Sequence, residues 1–248
     1  MEYDFHRQFA ELGIQPGDVV LMHSSMKALQ TAIQPEEFLR QLLDYLGEAG
    51  TLLLPALSYN ILNGSAPYVF DSANTPACIG LLPETFRKMP GVVRSQHPTH
   101  SVCACGAKAR QLTQNHHLDD TPVGPNSPFR LLPKVGGKIL MLGDVLRCCT
   151  FMHGVEEVAC VPYCLNEHTD EYIVDGERRE LYGHNFAGVE QRYDRIANIL
   201  REPALRKGRI GAADCHLIDA KALMRAATMM MAEDPYWFVD MNDPLARR

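Results

Sequence analysis

The 248-residue sequence has no Gly-x-x-x-x-Gly-Lys phosphate loop, no Gly-x-Gly-x-x-Gly and no Gly-x-Ser-x-Gly. Nucleotide hydrolysis, dinucleotide redox chemistry and the hydrolase nucleophile elbow thereby lose their usual signals. Long apolar runs are also missing. The longest, at residues 51–57 and 138–142, fall far short of the roughly 20 residues a bilayer span needs. The first seven residues, Met-Glu-Tyr-Asp-Phe-His-Arg, lack the basic start and apolar run of a signal peptide. A cytoplasmic protein without membrane partners is therefore expected. No basic stripe is present, and Asp plus Glu (30) outnumber Lys plus Arg (24), for a net charge of −6. That balance argues against nucleic acid as a partner and is compatible with attraction of a cationic small molecule. The densest cationic cluster, Arg206-Lys207-Gly208-Arg209, reads as solvated surface. None of the eight cysteines forms a Cys-x-x-Cys pair, and Cys160-x-x-x-Cys164 has no matching second half, so no bound metal is expected.

What is present is a hydrophobic fraction of 46% with 22% charged residues, enough for a large core. No linker or repeat divides the chain, so residues 1–248 are read as a single domain. Apolar runs at 18–22, 50–55, 102–105, 138–142 and 212–218 read as strands. Helical patterns fall at 34–46, 79–88, 107–113, 150–158 and 189–200, with Pro35 and Glu36-Glu37 opening the first. Thr150 is expected to cap one helix, and Asp219 to cap another running through Met231. Asp175-Gly176 marks a hairpin. Alternating strands and helices with a hairpin predict an α/β fold, a three-layer α/β/α sandwich around a mixed central sheet. Residues 57–77 and 115–133 form connections long enough to be functional.

Four segments could carry chemistry. His23-Ser24-Ser25-Met26 follows the first strand, where paired hydroxyls and free N–H groups suit a phosphate, although an ordinary helix cap has the same pattern. Arg94-Ser95-Gln96-His97-Pro98-Thr99-His100-Ser101 places two histidines in a polar stretch before a strand. An imidazole can take a proton at neutral pH, and Pro98 restricts His97 to an extended backbone. His97-x-x-His100 could equally be half of a metal site, or two solvated or core histidines. Thr150-x-x-His153-x-x-Glu156 puts an imidazole and a carboxylate on one helix face, for function or as a surface pair. Cys148-Cys149 offers a covalent acyl acceptor or buried packing.

Taken in order, these segments resemble the aminoglycoside 3-N-acetyltransferase family, which is distinct from the superfamily containing histone-modifying acetyltransferases. The resemblance extends through residues 50–55, Phe70-Asp71 with Thr75-Pro76, residues 80–87, Gly124 with Ser127-Pro128, residues 136–143, and the tail from Arg209 to Ala220. It implies acetyl-CoA as co-substrate and a cationic acceptor, the 3-amino group of a deoxystreptamine ring in an aminoglycoside. It implies His97 as general base, with Glu156 tuning proton transfer. His23, Ser24, Ser25 and Met26 would hold the CoA, with Thr75 and Ser101 near its pantetheine or thioester. Asp71, His153 and Glu156 would meet the cationic substrate. Transfer would be direct, in a monomer or homodimer. The sequence departs from the family pattern at Val102-Cys103-Ala104-Cys105, Pro125-Asn126 and Cys148-Cys149. Other readings are a same-fold acyltransferase for a different metabolic amine, a metal-dependent hydrolase using His97 and His100, and a non-catalytic CoA-binding module.

Overall fold

Four consecutive buried residues, Val19 to Met22, lie at the centre of the molecule. In the computed structural model, which describes residues 3–242, they belong to the first of twelve strands. These are β1 (Val19–Ser24), β2 (Thr51–Pro55), β3 (Tyr68–Phe70), β4 (Val93–Arg94), β5 (Val102–Gly106) and β6 (Lys138–Leu142). The remainder are β7 (Leu165–Val174), β8 (Glu177–His184), β9 (Val189–Gln191), β10 (Leu205–Ile210), β11 (Ala213–Asp219) and β12 (Val239–Met241). The helices are α1 (Phe5–Leu12), α2 (Pro35–Leu46), α3 (Leu81–Arg87), α4 (Ala109–Thr113), α5 (Pro128–Leu131), α6 (Phe151–Ala159), α7 (Ile196–Ile199) and α8 (Ala220–Glu233).

Seven strands form the main sheet in the order β10-β11-β6-β1-β2-β5-β4. β1 pairs in parallel with β2 and β6. The outer strands run antiparallel, so the sheet is mixed. Side chains alternate between faces along each strand. Val20, Met22, Leu52, Leu54 and Leu140 pack with Phe5, Phe9, Phe38, Leu39 and Phe86 of α1, α2 and α3. Leu21, Leu53, Ile139 and Met141 pack with Phe129, Phe151, Val155, Leu223 and Met231 of α5, α6 and α8. The result is the three-layer α/β/α sandwich. No helix among the described residues is long and apolar enough to cross a membrane.

This topology locates the site. β1 and β6 end side by side, with Ser24 level with Leu142. β5 starts beside the end of β2, with Val102 opposite Pro55. Three loops therefore converge beyond the carboxyl ends of the central strands, where open α/β sheets bind ligands. A smaller sheet, β3-β7-β8, flanks them. Its hairpin turns at Asp175 and Gly176, both at positive φ (49° and 90°) as a tight two-residue loop requires.

Three local expectations change. Residues 189–200 are not one helix: β9 pairs with β12, a 3₁₀ turn follows, and only α7 is helical. Pairing with a strand distant in sequence overrides the helical spacing of the apolar residues. Thr150 does not cap α6, because its own backbone is already helical (φ −60°, ψ −20°) and its hydroxyl donates to the Cys148 carbonyl. The two long connections contain short structure, including β3 in one and α5 in the other. The basic cluster at 206–209 lies on the edge strand β10, where cationic side chains discourage edge-to-edge pairing.

Asp219 does cap α8, accepting from the Ala222 N–H at 2.8 Å. Asp219→Ala should cost about 1 kcal/mol, read as a lower denaturant midpoint at unchanged slope.

Candidate active site

β1 emerges from the buried core as His23 and Ser24, and two depressions meet there. One is a cavity of about 640 Å³ reaching from β1 across the start of α6 to the end of β8. The other is a shallower groove of about 840 Å³ running from Ser24 and Ser25 past Lys27 to Pro35, with Gly80 and Leu81 on its far side. Ser24 borders both. Its Oγ, like Nε2 of His23, is buried without a hydrogen-bond partner among the described residues. Burial lowers the His23 pKa to about 3, so its ring is neutral.

Besides His23, three imidazoles stand in the cavity wall: His100 from the turn before β5, His153 from the first turn of α6, and His184 from the end of β8. Nε2 of His100 is 3.0 Å from Nδ1 of His153. Nδ1 of His100 is 2.9 Å from Oγ1 of Thr99. Nε2 of His184 is 2.7 Å from a carboxylate oxygen of Glu157. That carboxylate also accepts from the Thr121 hydroxyl and the Val123 N–H. Burial, followed by the field of neighbouring histidines, holds the pKa values of His100 and His153 well below the ordinary imidazole range. Both are therefore neutral at pH 7, with lone pairs available.

His97, expected as the base, lies outside the cavity wall and is 2% exposed. Its Nδ1 accepts from the N–H groups of His100 (3.2 Å) and Thr99 (3.4 Å), and its ring stacks on His116 at 5.0 Å. Because Nδ1 serves the turn, and Nε2 is buried without a partner among the described residues, His97 shapes the loop that presents His100. Glu156, expected to meet the substrate, is likewise absent from the wall and fully buried. Its oxygens accept from Tyr163 (3.1 Å) and Tyr193 (2.8 Å), and burial pushes its pKa up to about 8. It positions Tyr193, which does line the cavity.

Asp71, Thr75 and Ser101, expected near the substrate or the CoA, line neither the cavity nor the groove. The Asp71 carboxylate closes a local turn on Ala73 and Asn74. The Thr75 hydroxyl accepts from the Asp71 N–H. Ser101 is fully buried, donating to the Ala56 carbonyl and accepting from Arg94. Of the other residues assigned from sequence, His23 and Ser24 line the cavity, Ser24, Ser25 and Met26 line the groove, and His153 faces the cavity. Cys148 also lines the cavity, whereas Cys149 is buried with its thiol pushed up to about 12, a poor nucleophile. Sequence reasoning missed His184, an isolated histidine at a strand end with no motif around it. It also missed the single cation among the described residues of the wall, Arg147, which pairs with Glu190 and Asp194. Among the described residues of the wall there is no carboxylate.

The model of the family described as aminoglycoside 3-N-acetyltransferase matches residues 21–232. Aminoglycoside N(3)-acetyltransferase VII of Streptomyces paromomycinus is 32% identical over 92% of this chain and 90% of its own length. Aminoglycoside N(3)-acetyltransferase IV of Salmonella sp is 30% identical over 100% of this chain and 95% of its own. Among solved structures, a histidine-to-alanine variant of AAC(3)-IVa in complex with gentamicin superposes with a TM-score of 0.81 at 27% identity, covering 96% of this chain and 92% of that one. AAC-IIIb with bound CoASH superposes at 0.80 with 29% identity, covering 92% and 95%.

The buried histidines set a pH limit. Their folded pKa values lie below the unfolded value near 6.5. The unfolded chain therefore takes up the extra protons as pH falls below 6.5, and stability present above that pH is lost, by up to about 1.4 kcal/mol per pH unit per imidazole. Glu156 acts oppositely: with its pKa raised from 4.5 to about 8, its contribution is lost as pH rises through that window. The thermal midpoint should fall steeply below pH 6, and Glu156→Gln should flatten the decline on the alkaline side. A midpoint unchanged from pH 7 to 5 would contradict the neutral cluster.

Proposed function

Because the chain belongs to the aminoglycoside 3-N-acetyltransferase family, we propose that it transfers the acetyl group of acetyl-CoA to the 3-amino group of an aminoglycoside, with His153 as general base. One observation carries the assignment of the base. His153 faces the cavity with Nε2 in no hydrogen bond among the described residues, while its Nδ1 is bound to His100.

The groove suits the donor. Ser24 and Ser25 offer hydroxyls and Lys27 a cation to the anionic part of CoA, and the unpartnered Oγ of Ser24 sits where groove and cavity join. Acetyl-CoA supplies an activated thioester. In the base-ready tautomer, Nδ1–H of His153 donates to Nε2 of His100, and Nδ1–H of His100 donates to Oγ1 of Thr99. This leaves Nε2 of His153 as the acceptor. A weakly basic imidazole suffices, because an amine nitrogen becomes acidic as its bond to the acetyl carbon forms. His153 takes that proton and can return it to the departing thiolate. The hydroxyl of Ser24, in the wall and without a partner among the described residues, is the donor that could meet the developing oxyanion. The residues used come from Ser24 through Tyr193, so the chain is treated as one functional domain.

A second reading, the same chemistry on a less charged amine, is favoured by the wall lacking carboxylates among its described residues. Thiol release from acetyl-CoA against a panel of aminoglycosides and simple amines tests both. Turnover with at least one aminoglycoside is expected, whereas turnover with simple amines alone would favour the second reading. His153→Ala should lower kcat/KM by about 10²–10⁴-fold. His97→Asn should act mainly through stability, with a smaller loss in kcat. The reverse order of effects would restore His97 as the base.

A further inference from the structure

His100, His153 and His184 each offer one ring nitrogen, and these atoms lie within 4.8 Å of one another. We propose that the three form a binding site for a divalent transition-metal ion such as Zn²⁺, and that its occupation silences the transferase. The binding claim rests on the cluster alone. The silencing claim rests on His153 being the base.

A tetrahedral zinc with Zn–N distances of about 2.0–2.1 Å holds its nitrogens roughly 3.4 Å apart. Nε2 of His100 and Nδ1 of His153 are already 3.0 Å apart. Drawing in the third nitrogen from within 4.8 Å takes a side-chain shift of at most about 1.4 Å to reach that spacing. The outer nitrogens are braced as in metal sites, where a ligating imidazole donates its other N–H to a carboxylate or another polar oxygen. Nε2 of His184 is bonded to Glu157, itself fixed by Thr121 and Val123, so the lone pair of His184 is directed to Nδ1. That Nδ1 is buried, with no hydrogen-bond partner among the described residues. Nδ1 of His100 is bonded to Thr99, which leaves its Nε2 for an ion. Three imidazoles suit zinc, copper or nickel and do not suit magnesium or calcium. The cavity supplies an open fourth position.

The ion and the base need opposite tautomers of His153. As base, His153 keeps its proton on Nδ1 and its lone pair on Nε2. A metal on Nδ1 requires the proton on Nε2, where the amine's proton would have to go. The shift is internal to the ring, and no other group gains or loses a proton. Metal binding and proton abstraction therefore exclude each other.

The test is titration of the chelator-stripped full chain with Zn²⁺ against a chromophoric competitor. One ion per chain is expected. His184→Gln should weaken binding by at least about 100-fold, and Glu157→Gln by about 10–100-fold. Cys148→Ser should leave the affinity unchanged. Co²⁺ bound to the unaltered protein gives a readout that does not depend on a variant folding: d–d bands without a thiolate-to-cobalt charge-transfer band are expected. Stoichiometry near zero, a charge-transfer band, or full affinity in a folded His184→Gln protein would overturn the site. Zn²⁺ should inhibit acetyl transfer at the concentrations that fill the site. Binding lost in His184→Gln, together with uninhibited transfer by the zinc-loaded protein, would overturn the silencing claim and the assignment of His153 as base while leaving the metal site standing.

Discussion

One half-buried cation holds the site in shape. Arg94 donates from Nε to Ser101 and from its terminal nitrogens to the carbonyls of Ser72, Thr75 and Ala56 and the hydroxyl of Ser58. Its guanidinium lies 4.8 Å over the Phe70 ring. Burial lowers its pKa, yet a guanidinium keeps its charge in proteins. These bonds tie the end of β2, the connection after it and the start of β5 into one block. Without Arg94 several buried acceptors would lose their donor, each at a cost of about 1–3 kcal/mol. Asp71, Thr75 and Ser101 belong to this block. They accompany the histidines because they fix the frame on which the histidines stand.

His97, His100, His116 and His153 depend on that frame to remain uncharged. Ring contacts link His116 to His97, His97 to His100, and His100 to both His153 and His184. Several imidazoliums at these spacings would repel strongly in a low-dielectric interior, whereas neutral rings can donate and accept in series. The series runs from the cavity inward: His153 to His100, His100 to Thr99, and the Thr99 and His100 backbone to His97. His97 thus stands at the far end of the hydrogen-bonded series that begins at His153, although it does not itself reach the cavity.

The fold was legible wherever one residue's environment was decided locally. β1, β2 and β6 announced themselves as continuous apolar runs between turn residues, as buried parallel strands do. α2 and α8 carried their start signals, Pro35 with two glutamates and the Asp219 cap. Residues 189–200 misled because pairing of β9 with β12 is a contact invisible to local spacing. The site followed the same rule. The loop after β1 was recognisable from its position alone. Which of His97 and His153 lines the cavity was not, because that depends on which ring faces open space. Glu156 shared the helix face of His153 in projection, but Tyr163 and Tyr193 close over its carboxylate, and neither contact has a sequence signature.

The lack of a carboxylate among the described residues of the wall bears on how an amine would react there. Tyr59, Phe186 and Tyr193 place aromatic rings in the wall, and the only cation among its described residues, Arg147, is half exposed and occupied by Glu190 and Asp194. A polycation would be drawn by the net charge of −6 and could rest against aromatic faces. The amine that enters deepest meets neutral imidazoles and no countercharge among the described lining residues. Desolvation then disfavours its charged form and lowers its pKa, as for any buried ammonium. The neutral amine is the nucleophile. A carboxylate at that depth would bind the ammonium more tightly but would hold it in the unreactive form. A cavity that is poor at gripping charge would therefore be well suited to releasing a proton, and the weakly basic His153 of the proposed mechanism would be matched to receive it once the new bond has begun to form.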